Sequence, residues 1–244
     1  MNKPLIQIYS NYTREDFEVW KILFDRQLKN LEHYVSNDFL EALEKVKFTP
    51  NRIPDFGEVN SILIEKTGWS LHTVPCISPQ EQFFNLLSQK KFTATCWIRT
   101  KEQLDYLEEP DMFHDVFAHT PLLSNPTYCN FFKSIGDLAL KHLHNPSVIK
   151  KLGRLYWFTI EFGMIYSNNK INAFGAGVIS SAGETRHALS SRSKKIDFNV
   201  EKIFNTDFRT DILQENYFVI DSFDQLLESI SEIEQKIEMA EINT

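Results

Sequence analysis

The chain has 244 residues, of which 42% are hydrophobic and 13% aromatic, and its formal net charge is −7. This length suits one large domain or two small ones, and the apolar content is sufficient for a substantial core. The acidic balance, without a block of lysine or arginine, argues against a nucleic-acid-binding protein. No run of about 18 apolar residues occurs, so the sequence predicts no membrane-spanning helix.

The cysteines and the first residues indicate a cytoplasmic protein. Cys76, Cys96 and Cys129 are widely spaced and form no CxxC pair, so we interpret them as reduced thiols. Residues 1–10 lack the basic-then-apolar pattern of a secretion signal. We therefore expect the protein in the cytoplasm.

Capping residues divide the first part of the chain into helices. Thr13, Ser36 and Asp55 each precede a segment whose apolar residues recur at helical spacing, which predicts three helices that begin directly after them. Gly68 is predicted to end the third helix. The next part of the sequence predicts a strand, a helix and a strand, at residues 71–77, 79–89 and 92–99.

The second half of the chain is also mainly helical in pattern. Helices are predicted over residues 126–144, 146–165, 181–190 and 221–239. Strands are predicted over residues 171–178 and 217–220. The first of these strands ends in Gly175-Ala176-Gly177, where the backbone is expected to approach a ligand closely.

The segment Glu109–Pro121 contains two histidines, His114 and His119. Residues five apart point about 140° away from each other on an ideal α-helix. The two imidazoles can therefore share a metal ion only if the helix ends between them. Pro121 favours such an ending, because the residue before a proline is pushed out of the α region. We predict that His114 lies on a helix and that His119 lies just beyond its end.

A third metal ligand is suggested by Glu161, a carboxylate within the aromatic run Tyr156–Gly163. A buried, unpaired carboxylate is costly, which favours a partner such as a metal ion. Two imidazoles and one carboxylate are the ligands of mononuclear non-haem Fe(II) sites, which leave one face of the metal open. The residues alone leave three alternatives: a zinc hydrolase with Asp115 as general base, a non-catalytic iron-binding protein, and a helix with two histidines but no metal.

Several motifs lie in order and in register from about residue 70 to 225. They are Asp105–Leu107 with Glu109–Asp111, His114–Asp115 with His119 and Pro121–Leu123, Tyr156–Thr159 with Glu161–Gly163, Gly175–Gly177 with Ser180, Ser181 and Glu184, and Tyr217–Phe223. This set resembles the pterin-dependent aromatic amino acid hydroxylases, and most closely the bacterial phenylalanine 4-monooxygenases of that family.

This resemblance implies a mostly α fold with a few short strands, that of the family's catalytic domain. It implies a single catalytic domain over residues 1–244, with no regulatory or tetramerisation module, and hence a monomer. The implied activity is an Fe(II)- and tetrahydropterin-dependent monooxygenase that uses O2 to convert L-phenylalanine to L-tyrosine. The same chemistry on tryptophan, or with meta selectivity, remains open at this point.

The resemblance also implies roles for individual residues. The implied iron ligands are His114, His119 and Glu161. The implied pterin-binding residues are Phe83, Cys76, Ile77, Tyr156 and Asp115, of which Asp115 is also the catalytic candidate because it can hydrogen-bond an iron-bound water or the pterin edge. The implied substrate-binding residues are Arg99, Tyr106, Trp157, Phe162 and Ser180.

Within this set, the resemblance gives Arg99 the substrate carboxylate, which a planar guanidinium can grip with two hydrogen bonds. Ser180 is expected to be a second anchor of that carboxylate and to orient His114. Trp157 should narrow the ring pocket and favour phenylalanine over tryptophan.

Two residues depart from the family pattern. Ala118 replaces the usual glycine before the second histidine, and it would be strained if that position required a positive φ angle. Leu107 replaces a threonine of the animal enzymes, although it matches the bacterial pattern.

Overall fold

Helices dominate the computed structural model, which describes residues 3–32, 34–105 and 107–242. In these residues the α-helices are α1 (Arg14–Leu31), α2 (Asn37–Lys45), α3 (Phe56–Thr67), α4 (Gln80–Ser88), α5 (Pro126–Lys141), α6 (Pro146–Tyr156), α7 (Ala176–Ser180), α8 (Ala182–Ala188), α9 (Val200–Asn205), α10 (Phe223–Glu228) and α11 (Ile230–Ile242). The strands are β1 (Ser70–Thr73), β2 (Lys91–Ala94), β3 (Met164–Ser167), β4 (Lys170–Ala173), β5 (Lys194–Asp197) and β6 (Asn216–Ile220). The predicted fold class, mostly α with a few short strands, is confirmed.

The capping residues predicted for the first three helices make the expected hydrogen bonds. Thr13 and Asp16 form a reciprocal capping box at the start of α1. The Ser36 side chain caps α2, and the Asp55 side chain accepts two backbone N–H bonds at the start of α3. Gly68 ends α3 with a φ of 78°, a left-handed conformation that glycine adopts without strain.

The strands form two small sheets. Strands β1 and β2 pair in parallel, with Ser70 opposite Lys91, and both are shorter than predicted. The second sheet has the order β4-β3-β6-β5, in which only the β3–β4 pair is antiparallel. None of the described helices combines the length and apolarity that a bilayer crossing requires.

The helix predicted to end near Ile165 is shorter than expected. Helical structure ends at Glu161, and strand β3 begins at Met164. Met164 pairs with Ala173 across the short turn between β3 and β4, and with Val219, which is distant in sequence. The sequence prediction is wrong here because periodicity alone does not distinguish a short apolar strand from the end of a buried helix.

Other helices and strands also begin or end at residues that differ from those predicted. The strand predicted over residues 171–178 ends at Ala173, since helix α7 already begins at Ala176. The helix predicted over residues 221–239 is two helices, α10 and α11. Strand β5 and helix α9 were not predicted. Strand β5 is recognisable only through its pairing with β6.

An aromatic cluster ties α1 to the segment that carries the two histidines. Phe113 and Phe117 stack on each other with ring centroids 4.5 Å apart. Trp20 packs edge-on against Phe113, and Phe24 packs edge-on against Phe117. All four side chains are buried. The face of the segment opposite the histidines is therefore fixed in the core, which restricts where the imidazoles can point.

Candidate metal centre

The segment with the two histidines, Phe113–His119, is a π-helix. Hydrogen bonds in a π-helix join residue i to residue i+5, so residues five apart lie one above the other. His114 and His119 thus share one face of a continuous helix, with their Nε2 atoms 3.3 Å apart. The prediction that the helix ends between them is wrong, because a widened turn, and not a helix end, brings the rings together.

Glu161 reaches the same point from a second π-helical segment, Trp157–Glu161, which continues α6. Its Oε1 lies 3.1 Å from Nε2 of His119, and its Oε2 lies 3.5 Å from Nε2 of His114. Among the described residues, these three form the cluster of histidine, cysteine or carboxylate side chains that could hold a metal ion.

The spacing of the three donors fits a metal ion. With metal–ligand bonds of about 2.1 Å, neighbouring donor atoms lie roughly 3 Å apart in an octahedral site and roughly 3.4 Å apart in a tetrahedral one. The separations of 3.3, 3.1 and 3.5 Å lie in this range. Three lone-pair donors that converge so closely are stabilised by a cation between them. The arrangement matches one face of a non-haem iron site, whose opposite face stays open.

Ser180 sets the tautomer of His114. The Ser180 hydroxyl donates to the carbonyl of Ala176 at 2.8 Å, so its oxygen accepts from the ring nitrogen Nδ1 of His114, which lies 2.9 Å away. With the proton on Nδ1, the lone pair of His114 is on Nε2, directed toward Glu161. The expected contact between Ser180 and His114 is present, whereas the role of Ser180 toward the substrate stays a prediction.

The protonation states also suit a metal. Burial lowers the pKa of His114 to about 4, so the imidazole is neutral near pH 7. Burial alone would raise the pKa of Glu161, but the neighbouring His119 and His114, with hydrogen bonds from His119 and Tyr156, lower it to about 2. The site therefore offers an imidazole lone pair and an anionic carboxylate.

Asp115 directly follows His114 in the π-helix, and its side chain is held by Thr95. Its Oδ2 accepts from the backbone N–H of Thr95 at 2.7 Å and from the Thr95 hydroxyl at 2.8 Å. Burial raises the pKa of Asp115 to about 7. Both Thr95 bonds use one carboxyl oxygen and leave Oδ1 for other partners. Thr95 was missed by the sequence analysis, because only the fold places β2 beside the histidine segment.

Arg99 is bound to a buried carboxylate. Its Nε and Nη2 donate to the two carboxyl oxygens of Asp111 at 2.9 and 2.7 Å, and its backbone N–H donates to the same side chain. Asp111 is fully buried. The pair fixes the plane of the guanidinium and leaves Nη1 outside the Asp111 contact. Sequence reasoning named Arg99 but did not assign Asp111 as its partner.

The aromatic candidates form two groups. Phe83 packs perpendicular to Tyr156, with centroids 5.3 Å apart, so the structure brings these two predicted pterin residues together. Trp157 and Phe162, predicted for the ring pocket, lie 4.6 Å apart. Tyr106 lies outside the described residues, and its predicted role stays a prediction.

Cys76 and Ile77 lie in the exposed loop that follows β1. The indole of Trp97 donates to the carbonyl of Pro75 at 3.0 Å and links this loop to the segment that leads to Arg99. The predicted contact of these residues with the pterin edge stays a prediction.

Comparison with known proteins decides the family. The model of the biopterin-dependent aromatic amino acid hydroxylases matches residues 2–241. The chain belongs to this family. It is 39% identical to the phenylalanine-4-hydroxylase of Chromobacterium violaceum, over 92% of this chain and 76% of that protein. It is 38% identical to the enzyme of the same name from Pseudomonas aeruginosa, over 92% of this chain and 85% of that protein.

A solved structure of the Chromobacterium violaceum phenylalanine hydroxylase, with bound iron(III) and 7,8-dihydrobiopterin, superimposes with a TM-score of 0.90 at 37% identity. The match covers 98% of this chain and 87% of the other. The predicted family and enzyme class are thereby confirmed: the chain is a biopterin-dependent hydroxylase. Of the alternatives that the residues left open, the zinc hydrolase and the non-catalytic protein are set aside.

In this hydroxylase Ala118 causes no backbone strain. Among the described residues, the non-glycine positions with positive φ are Lys47, Lys90, Asn168 and Asn169. Ala118 is fully buried within the π-helix, and its methyl group is part of the core. The departure from the usual glycine is thus compatible with the site.

Gly175, which follows β4, packs directly against the backbone of Glu161. A Cβ atom on Gly175 would lie 2.6 Å from the carbonyl oxygen of Glu161 and 2.5 Å from the backbone nitrogen of Gly163. The group that Gly175 approaches is the backbone of Glu161 and Gly163, and the predicted approach of this stretch to a bound ligand stays a prediction. Gly175 thereby fixes the depth at which Glu161 enters the site.

We expect Gly175→Ala to weaken iron binding and destabilise the fold. The added methyl group must displace the backbone of Glu161, and overpacking of this kind costs about 1–3 kcal/mol. Thermal unfolding and iron stoichiometry check both effects. Gly153→Ala in α6 is the matched control, because a Cβ there meets nothing within 4 Å and should leave iron content unchanged. Equal iron content in the two variants would contradict this role of Gly175.

Proposed function

We propose that this enzyme hydroxylates the aromatic ring of L-phenylalanine to give L-tyrosine, with Fe(II), a tetrahydropterin and O2. The observation that carries the proposal is the cluster of His114, His119 and Glu161, whose donor atoms converge at metal-binding distance and whose two imidazoles and one carboxylate are the ligand set of a non-haem iron site. The relatives named as phenylalanine-4-hydroxylases support phenylalanine as the substrate.

The protein's contribution is to hold the reactants and their charges in place. The iron, when bound, supplies the activation of O2, with electrons from the tetrahydropterin. His114 would bind as a neutral imidazole, Glu161 would add one negative charge, and Nε2 of His119 would be the third ligand atom. Thr95 occupies Oδ2 of Asp115, so Oδ1 is the atom that would hold a water molecule or the pterin edge.

Two further groups would position the flat molecules. Phe83, braced edge-on by Tyr156, offers a ring face for pterin stacking. Arg99, oriented by Asp111, offers Nη1 to the substrate carboxylate. Trp157 and Phe162 would enclose the substrate ring and exclude water from the reacting centre.

The test is a reconstitution. The protein is loaded anaerobically with Fe(II), then given phenylalanine, a tetrahydropterin and air, and the product is identified by chromatography against para- and meta-tyrosine standards. Protein loaded with Zn(II) is the control and should form no product. Absence of para-tyrosine, with tryptophan hydroxylated instead, would overturn phenylalanine as the substrate.

We further propose that the enzyme acts as a monomer in the cytoplasm. Helix α11 folds back onto the body of the chain, with Ile233 and Ile237 fully buried and Lys141 of α5 lying 3.6 Å from Glu234. These two apolar side chains are thus used within the chain. The free thiols of the three cysteines suit a reducing compartment.

Light scattering on the iron-loaded enzyme should give a mass near the 28.6 kDa of one chain, with a hyperbolic dependence of rate on phenylalanine. A stable tetramer with a sigmoidal curve would contradict the monomer.

A further inference from the structure

A buried amide lies against the edge of Trp157. Gln214 is in the segment between α9 and β6 and is only 5% exposed. Its Oε1 accepts from the indole Nε1–H of Trp157 at 2.9 Å. Its Nε2 donates to the carbonyls of Arg209 at 2.7 Å and Ile212 at 3.2 Å. Because an indole N–H only donates and a backbone carbonyl only accepts, these partners fix which way the amide faces.

The backbone of Gln214 is held by a second buried group. Glu184, also 5% exposed, accepts from the Gln214 backbone N–H at 3.1 Å and from the Tyr217 hydroxyl. The ring of His187 bonds to the Gln214 carbonyl at 3.0 Å. A residue whose backbone is fixed on both sides presents its side chain at a defined place. Glu184 is part of the family motif, yet the reaction described above gives it no role.

The same segment holds the face of the indole. Phe208 stacks on Trp157 with centroids 4.3 Å apart and an angle of 12° between the rings. Phe162 lies tilted against Trp157. Stacking restricts the plane of the indole but permits it to slide and turn within that plane. The Gln214 bond removes this remaining freedom, because it fixes the position of Nε1.

We propose that Gln214 is a positioning residue for ring hydroxylation, which acts by fixing the indole of Trp157 through the Nε1–H bond. The proposal rests on the proposed function, in which Trp157 forms a wall of the phenylalanine pocket. A fixed wall admits a phenyl ring in one placement, whereas a mobile wall admits larger rings and holds phenylalanine less well. Gln214 thus determines substrate selectivity without touching the substrate.

The expected effect is a change in selectivity. Gln214→Met keeps the side-chain length and removes the acceptor. A hydrogen bond of this kind is worth a factor of roughly 2 to 10 in an equilibrium. We therefore expect kcat/KM for phenylalanine, relative to tryptophan, to fall by roughly 2- to 10-fold. Tyrosine formed per pterin oxidised should also fall, while iron stoichiometry should stay that of the wild type.

A double-mutant cycle with Trp157→Phe tests whether the effect passes through the indole. A phenyl ring at this position has no N–H, so adding Gln214→Met to Trp157→Phe should change the selectivity ratio no further. Gln214→Asn retains an amide but retracts its carbonyl, and should reproduce the shift if Gln214→Met folds poorly. Gln89→Met, at an exposed glutamine of α4's C-terminal end, is the matched control and should behave as the wild type.

A spectroscopic measurement reports the bond directly. In 15N-labelled enzyme with diamagnetic Zn(II) in the metal site, the indole N–H signal absent from Trp157→Phe belongs to Trp157. Gln214→Met should move this signal upfield and speed its exchange with solvent.

The proposal would be overturned if Gln214→Met changed the selectivity ratio by the same factor with and without Trp157→Phe. It would also be overturned if Gln214→Met left the indole N–H signal of Trp157 unmoved. Failure of the wild type to hydroxylate phenylalanine would overturn the proposed function instead, and the indole signal would still report on the Gln214 bond.

Discussion

Replacing His119 with alanine is expected to abolish iron retention and tyrosine formation. The imidazole is one of three donors that lie within 3.5 Å of a neighbouring donor, and nothing else in the π-helix can replace its nitrogen. Loss of a residue that merely hydrogen-bonds a ligand costs about 10- to 100-fold in metal affinity. Loss of the ligand itself should cost more. Alanine at position 114 or 161 should have the same result.

Two measurements separate loss of the metal from loss of the fold. Fe(II) should raise the melting temperature of the wild type, because a ligand that binds only the native state stabilises it. It should leave that of the His119 variant unchanged. His72→Ala, at an exposed histidine of β1, is the matched control and should bind iron normally. Wild-type iron content and turnover in the His119 variant would contradict the ligand assignment.

Replacing Arg99 with lysine should lower kcat/KM for phenylalanine by roughly 10- to 200-fold. Lysine keeps the charge but cannot contact both oxygens of Asp111 and a substrate carboxylate at once. Hydrogen bonds to charged groups contribute about 1.5–3 kcal/mol each, which corresponds to this range. Iron content should not change, since Arg99 is not a ligand. Pterin oxidation should become partly uncoupled, because a loosely held ring is hydroxylated less often.

Phenethylamine and a second arginine provide the controls. Phenethylamine lacks the carboxylate, so its slow turnover should barely differ between the wild type and Arg99→Lys. Arg52 makes a similar two-pronged contact, with Glu58, on the surface, and Arg52→Lys should keep wild-type activity. If Arg99→Lys retains wild-type kcat/KM and coupling with phenylalanine, Arg99 does not bind the substrate carboxylate.

Local chemistry in the sequence was sufficient for the helix starts and for the three residues that cluster at the candidate metal centre. Thr13 and Asp55 cap their helices through bonds to residues two or three positions away, which a sequence displays directly. His114, His119 and Glu161 were found by residue type and by family resemblance. The way in which the histidines meet was not found, because the 3.6-residue period assumed for a helix does not describe the wider turn of a π-helix, whose hydrogen bonds join residues five apart.

Features made by long-range contacts were not predictable from the sequence. Strand β3 pairs in parallel with β6, a partner that lies more than fifty residues further along the chain. Thr95 and Gln214 have ordinary sequence surroundings, and only the fold places them against Asp115 and Trp157. The partner of a buried polar group is therefore the part of a site that sequence reasoning identifies least well.

The π-helix between the two histidines makes the site depend on the number of intervening residues more than on their identity. Substitutions among these residues leave the ligands on one face, whereas an insertion would place them six apart. Deletion of one residue would place them four apart, a spacing that an ordinary α-helix also presents on one face. In such a chain an ordinary α-helical turn would replace the widened one, and the residues after it would move by about 1.5 Å along the helix axis with little rotation. Descendants of this protein should therefore vary here by exchange of side chains and should not gain a residue between the two histidines.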